Sequence, residues 1–377
     1  MRMKGKSSLD GGNLTVIGGG RGWGAKITQA GKRLAAEVNI VEQDTGDATR
    51  DDLIRHANSV FFAAPDTEIP NILRDTRGLL AGKRVLDCAS NKGPFEKMLL
   101  EVSKEASVCS THPLVRPETP TRGQNVLIMP LGEGAQPATD DAEAIYRTME
   151  MRLRRFDFQR HGDFMAIVQF LPHLMQRTLV DALGKVLQEQ GLVLAQLTDI
   201  APANFGMTEM GMGRVAIQRP DVSAGIMAEA LRSPLGQRIQ QIVAETLKHV
   251  ASIGADRAAL SAFASEGVDR LDPSGAWRKE MNPLTDTAIE ARGNFNLRSF
   301  VLVVPDDKPG LLAQIASLLA SFDLNMNAIH SHSLEKEKGR GVRFNIGVDQ
   351  KEVDWAALEQ ACTERGWQFT RTSNNDL

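Results

Sequence analysis

The chain is poor in cysteine. It carries only Cys88, Cys109 and Cys362 in 377 residues. The number is odd and no pair has CxxC or metal-ligand spacing, which argues against a disulfide framework and points to a reducing, cytoplasmic setting. A dominant charge is also lacking: 44 basic and 47 acidic residues leave −3. That removes the bulk field expected of a nucleic-acid or anionic-membrane binder. No apolar run approaches the roughly 18 residues of a membrane span. The opening MRMKGKSSLDGGN is basic without the apolar core of a secretory signal. There is no low-complexity tract and no internal repeat. What remains is 42% hydrophobic and 24% charged, the balance of a soluble globular protein. The length predicts two or three domains with ample core and makes an enzyme the prior.

Leu14-Thr15-Val16-Ile17 reads as a strand and leads into Gly18-Gly19-Gly20-Arg21-Gly22-Trp23-Gly24 and a helical stretch through Ala35. Strand, glycine turn and helix is the context of a dinucleotide site. There a bare backbone approaches a pyrophosphate and a helix N-terminus offers free N–H groups. Gly20 to Ala25 fits GxGxxA, whereas a register on Gly19 and Gly24 puts Arg21 at the middle glycine. Arg21 has the chemistry to stack on adenine or meet a phosphate. The next strand, Glu37 to Val41, ends at Glu42, about twenty residues past the turn, where an acid bonds a ribose hydroxyl and repels a 2′-phosphate. NAD is therefore expected over NADP.

Val60 to Pro65, Arg84 to Asp87, Ser107 to Ser110 and Asn125 to Met129 supply further buried-strand candidates. Spaced by helical segments, they predict an α/β domain, a Rossmann-type doubly wound parallel sheet over 11–152 that closes near residue 150. Pro65 falls at a strand end facing the cofactor. Two polar signals, Ser90-Asn91-Lys92 and Thr111-His112-Pro113, follow apolar runs, and residues just past strand ends line the ligand crevice of such sheets. Ser90 and His112 are the expected catalytic pair. From Met151 the periodicity turns helical, predicting an all-helical dimerisation or substrate domain over 153–292. On one of its helices Ala166, Gln169 and His173 share a face. Polar residues with Pro and Gly around Asn282–Asn296 read as a linker. The segment 298–377 has a βαββα-like order, with little room for a final strand.

Taken together, these motifs resemble the prephenate dehydrogenases, oxidoreductases of tyrosine biosynthesis. The likeness spans about 14–250. It rests on the glycine turn with Glu42-Gln43, Asp87-Cys88-Ala89-Ser90-Asn91-Lys92-Gly93, His112-Pro113, the His161…Gln169…His173 helix, and Gly213-Arg214 before Gln218-Arg219-Pro220. The C-terminal segment looks like an ACT domain, an α+β amino-acid-sensing module, through Asp307-Lys308-Pro309-Gly310-Leu311 and Asn325-Met326-Asn327.

The resemblance implies NAD-dependent oxidative decarboxylation of prephenate to 4-hydroxyphenylpyruvate. His112 would polarise the ring hydroxyl as hydride leaves, and Ser90 would hold it in line. Arg214 would clamp a substrate carboxylate, His173 and Gln169 would line the pocket, and Glu118 would gate it or pair with Arg214. It further implies a homodimer, and an aromatic amino-acid effector bound at an ACT–ACT interface by Pro309, Gly310, Asn325 and Asn327. The sequence departs from the family where Arg116 takes the place of a glycine after His-Pro, and where Gly162 follows His161 in place of an aspartate. Arg116 has the charge to contact a second anionic group, so arogenate and 4-amino-4-deoxyprephenate stand as alternative substrates. A non-catalytic amino-acid sensor is the alternative from another class. His330 and His332, two apart, read as an exposed strand end, and no resident metal is expected.

Overall fold

The computed structural model describes residues 9, 11–198, 200–218, 220–295, 298–333, 341–348 and 352–371. Apolar runs closed by glycine or polar turns give β1 (Asn13–Ile17), β2 (Glu37–Val41), β3 (Ser59–Phe62), β4 (Arg84–Asp87), β5 (Ser107–Pro113) and β6 (Asn125–Leu131), and the basic edge strand β7 (Arg152–Arg155) follows. Between them lie α1 (Gly22–Gly31), α2 (Asp47–His56), α3 (Ile69–Thr76), α4 (Glu96–Val102) and α5 (Gln136–Thr148). The strands form one seven-stranded sheet in the order β2-β1-β3-β4-β5-β6-β7. Alternate residues of β3 serve opposite faces. Phe61 packs with Leu14, Ile27 and Tyr146, while Val60 and Phe62 pack with Ile54, Leu73 and Leu99. A strand covered on both faces reads as a continuous apolar run, and so this one was legible.

The sheet differs from the expected all-parallel one. β6 runs antiparallel to β5, β7 pairs parallel with β6, and the sheet closes at Arg155 rather than near 150. The antiparallel partner has a consequence for the site. Parallel pairing of β4 with β5 stops at Asp87↔Ser110, but β6 continues the ladder through His112↔Leu127 and Pro113↔Val126. β5 thus overhangs the end of β4, and His112 lies inside a strand rather than in a turn after one.

The chain then forms α6 (His161–Met165), a π-helical turn over Ala166–Phe170, α7 (Leu171–Gln190), α8 (Leu194–Thr198), α9 (Ala203–Ala216), α10 (Pro220–Arg232), α11 (Pro234–Ile253), α12 (Arg257–Leu271) and α13 (Ala276–Phe295). It groups into two units, Met1–Leu174 with Pro220–Val243, and Met175–Arg219 with Ala244–Leu377. In the first unit Ala166 and Phe170 pack against Met227, Leu231 and Ile239, so α10 and the start of α11 cover the π turn. In the second, the expected linker at 282–296 is instead mostly helix. α13 runs through Pro283 to Phe295, because a proline removes only one ladder hydrogen bond and the residues after it form helix readily. Among the described residues no helix is long and apolar enough to cross a membrane.

The second unit ends in β8 (Arg298–Val304), α14 (Leu311–Ser321), β9 (Met326–Ser333), β10 (Val342–Val348), α15 (Trp355–Glu364) and β11 (Gln368–Arg371). The order β11-β8-β10-β9, with every pair antiparallel, is the ferredoxin-like βαββαβ arrangement. The final strand that the sequence left no room for exists. It needs only four residues, because Phe369 pairs opposite Leu302 and stacks on Phe300 with centroids 5.0 Å apart.

Candidate active site

The sheet switches direction at β1, flanked by β2 and β3, and ligands bind at such a switch point beyond the C-terminal strand ends. Gly18 follows β1 with φ of 80°, and a Cβ there would lie 2.7 Å from the Ala64 nitrogen in the turn after β3, next to the exposed Pro65. A Cβ on Gly24 would fall 1.8 Å from the Gly18 carbonyl oxygen. These two positions, one for the tight turn and one for close helix–strand packing, are where the backbone must stay bare. Thr28 Oγ1 donates to the Gly19 carbonyl at 3.0 Å and ties α1 to the turn. Trp23 packs half-buried against the adjoining core. Arg21 is the exposed, extended residue before α1 and makes no side-chain cap bond, so the first-turn N–H groups face outward uncapped. The Gly20 N–H donates to Glu42 Oε1 at 2.5 Å, which places this acid at the rim of the turn.

Along the same sheet edge, β4 ends at Asp87 and β5 carries His112. His112 is 4% exposed and His161, at the start of α6, is 3% exposed. His112 Nδ1 and His161 Nε2 lie 3.0 Å apart with their rings edge-to-face. Burial, then His161 and Lys92, hold His112 well below the ordinary histidine range. Burial, then Lys92, pushes His161 down to about 3. Two imidazoles with one hydrogen bond between them are thus both neutral near pH 7.

Lys92 is the nearby cation. Its buried ammonium bonds the Asp87 carboxylate and donates to the Thr111 carbonyl at 2.8 Å. Thr111 Oγ1 donates to the Asp87 carbonyl at 2.5 Å, which leaves Tyr146 to donate its hydroxyl to Thr111 at 2.7 Å. This network clamps the strand residue that precedes His112. Asp66, after β3, accepts the Asn91 N–H at 2.9 Å, and its burial raises its carboxyl. Glu229 of α10 abuts Gly93, where a Cβ would fall 1.8 Å from Oε1. His161, Lys92, Asp87 and Glu229 had no site role from spacing alone. The one hint was Lys92 itself, five residues past Asp87 and closing the polar run Ser90-Asn91-Lys92.

The other expected residues are dispersed. Ser90 is exposed at the end of β4, and its hydroxyl forms no hydrogen bond among the described residues. His173 is buried and donates from Nδ1 to the Gln169 carbonyl at 2.9 Å. Arg116 and Glu118 are exposed in the β5–β6 connection, whose Pro117 approaches the Cβ position of Gly22 at 3.7 Å. Arg214 is exposed on α9 in the second unit. In the C-terminal domain Gly310 caps α14 with φ of 88°, and Pro309, Asn325 and Asn327 are exposed. The His332 side chain lies outside the described residues, as does Arg219. Among the described residues no three acidic, histidine or cysteine groups converge as a metal site.

No protein-family model and no curated protein matches the chain. Solved structures share its fold. Prephenate dehydrogenase from Aquifex aeolicus, solved with hydroxyphenyl propionate and NAD+, is 15% identical, with 71% of this chain and 100% of that chain covered and a TM-score of 0.51. A putative prephenate dehydrogenase from Corynebacterium glutamicum is 13% identical over 74% and 96%, TM-score 0.53. Synechocystis arogenate dehydrogenase is 14% identical over 69% and 99%, TM-score 0.50.

Proposed function

We propose that the protein is an NAD-dependent cyclohexadienyl dehydrogenase that oxidatively decarboxylates prephenate to 4-hydroxyphenylpyruvate. The observation that carries this reading is the neutral, buried His112 on the overhang of β5, at the same sheet edge as the glycine turn after β1. The neighbouring fold is solved with NAD+ and a hydroxyphenyl ligand in the Aquifex enzyme. The turn fits the cofactor: Gly18 and Gly24 leave no room for a side chain, the α1 N-terminus is uncapped, and Glu42 stands at the rim. When bound, NAD supplies the hydride acceptor.

The rest falls to the chain. His112 accepts a hydrogen bond from the ring hydroxyl at its free Nε2 and polarises it as hydride leaves the ring carbon, a task suited to a neutral imidazole. The ring carboxylate departs as carbon dioxide, its electron pair completes the aromatic ring, and the phenol keeps its proton. Lys92 and Asp87 hold the strand that presents it. Ser90, Gln169 and His173 line the pocket in this reading. Arg116, exposed in the β5–β6 connection, bears on which substrate enters. The test is kcat/KM for prephenate, arogenate and 4-amino-4-deoxyprephenate with NAD and NADP. A preference of about two decades against prephenate overturns the substrate, and no turnover of any of them overturns the activity.

The ferredoxin-like C-terminal domain fits an ACT role, with an aromatic amino acid bound near Pro309, Gly310, Asn325 and Asn327. If removing residues from 298 onward leaves aromatic amino-acid inhibition intact, regulation acts elsewhere. The helices of the second unit leave Leu271, Trp277 and Leu284 at least half exposed. A second copy of the chain is the occupant that would bury such faces.

A further inference from the structure

We propose that His161 is the positioning residue for His112: its Nε2 accepts the His112 Nδ1–H and so leaves His112 Nε2 as a bare lone pair toward the substrate. This deepens the dehydrogenase reading at the same site and rests on it.

Two neutral imidazoles 3.0 Å apart share one bridging proton. If His161 donates it, His112 Nε2 must carry the other proton and faces the ligand as a donor. If His112 donates it, Nε2 is an acceptor. Loss of hydride puts positive charge on the hydroxyl-bearing carbon and its oxygen until the electron pair of the departing carbon dioxide completes the aromatic ring, so the group beside the hydroxyl must accept its hydrogen bond. Only the second arrangement does that. As the hydroxyl hydrogen is drawn toward Nε2, His112 gains imidazolium character, and the His161 lone pair stabilises that charge. A carboxylate does this in hydrolase triads, but here the partner is uncharged.

The surroundings fit. His112 Nε2 and His161 Nδ1 have no partner among the described residues, and neither is wholly cut off from solvent. One is therefore reachable by a ligand, and the other can shed its N–H to water. His161 is held in place by chain geometry. The π turn at Ala166–Phe170 follows α6 directly, is covered by α10 and α11, and π turns of this kind often mark functional sites. Lys92 is the ionisable group whose charge acts on both rings, and Asp87 is its ion-pair partner.

The experiment has two arms on the full chain. Long-range proton–nitrogen correlation on histidine-labelled wild type is expected to show His112 protonated at Nδ1 and bare at Nε2. Protonation at Nε2 overturns the proposal whether or not the enzyme turns over. In the second arm, His161→Phe and His161→Glu are compared by the acid limb of kcat/KM against pH. Removing the acceptor moves the limb down, and a carboxylate acceptor moves it up by about one to three units. KM for NAD stays unchanged in both. A limb that stays in place, or moves the same way in both variants, reduces His161 to a packing residue. If wild type oxidises none of the three cyclohexadienols, the functional reading falls, while the nitrogen shifts still decide the pair.

Discussion

His112 and His161 bear on stability as well as chemistry. Both have folded-state pKa values below the unfolded one, so the unfolded chain binds more protons as pH falls. Their contribution is whole above about pH 6.5, the unfolded value. It is lost progressively as pH falls toward the folded values, near 3 for His161. Tm is expected to drop steadily from pH 7 to 4, with a shallower slope in His161→Phe. His112→Asn should lower turnover by about two decades or more, since general acid–base groups contribute that much. Unchanged turnover would remove His112 from the chemistry. Lys92→Met strands the Asp87 carboxylate in the interior and should cost about 3–5 kcal/mol in denaturant unfolding. Adding Asp87→Leu should recover part of that loss, and no recovery would mean the two charges do not act as a pair.

Two elements decide whether the site assembles. At the glycine turn, Gly24→Ala sets a methyl 1.8 Å from the Gly18 carbonyl and must push α1 off β1. Calorimetric titration should show NAD affinity about tenfold weaker or worse, roughly 1.4 kcal/mol. At the π turn, deleting Ile167, exposed at 49%, would return the segment to ordinary α-helix and rotate α6 against α7 by about 100°. That swings His161 away from His112. Turnover should collapse while NAD affinity holds, and retained turnover would show that the helix phase is immaterial.

The molecule combines parts of unequal self-sufficiency. The C-terminal domain buries its own core, with Phe300, Leu302, Ile315, Phe344, Ile346 and Leu358 nearly inaccessible. Residues 298–377 alone should therefore unfold cooperatively in denaturant. Among the described residues the helices α12 and α13 have no comparable core: no residue of α12 is buried. They need something to cover them, and sedimentation of the full chain should give a dimer. A monomer at micromolar concentration would rule out a second copy as that cover.

The strands β1, β3 and β4 and the glycine turn were legible in the sequence because each is a local pattern: an apolar run and a break. The order of the C-terminal elements was legible for the same reason. Which glycines of the turn must stay bare was not, because that depends on how closely Ala64 and α1 approach. Nor was the antiparallel β6, since strand direction leaves no mark on composition. The short β11 was missed because its place comes from pairing with β8, and α13 because a lone proline does not overrule twelve helical residues after it. His161 meets His112 across 49 residues, and Lys92 reaches Thr111 across 19. Sequence alone determined which residue types stood at the sheet's edge. Only the tertiary structure decided which of them touch, because hydrogen bonds between distant segments are set by how the elements pack.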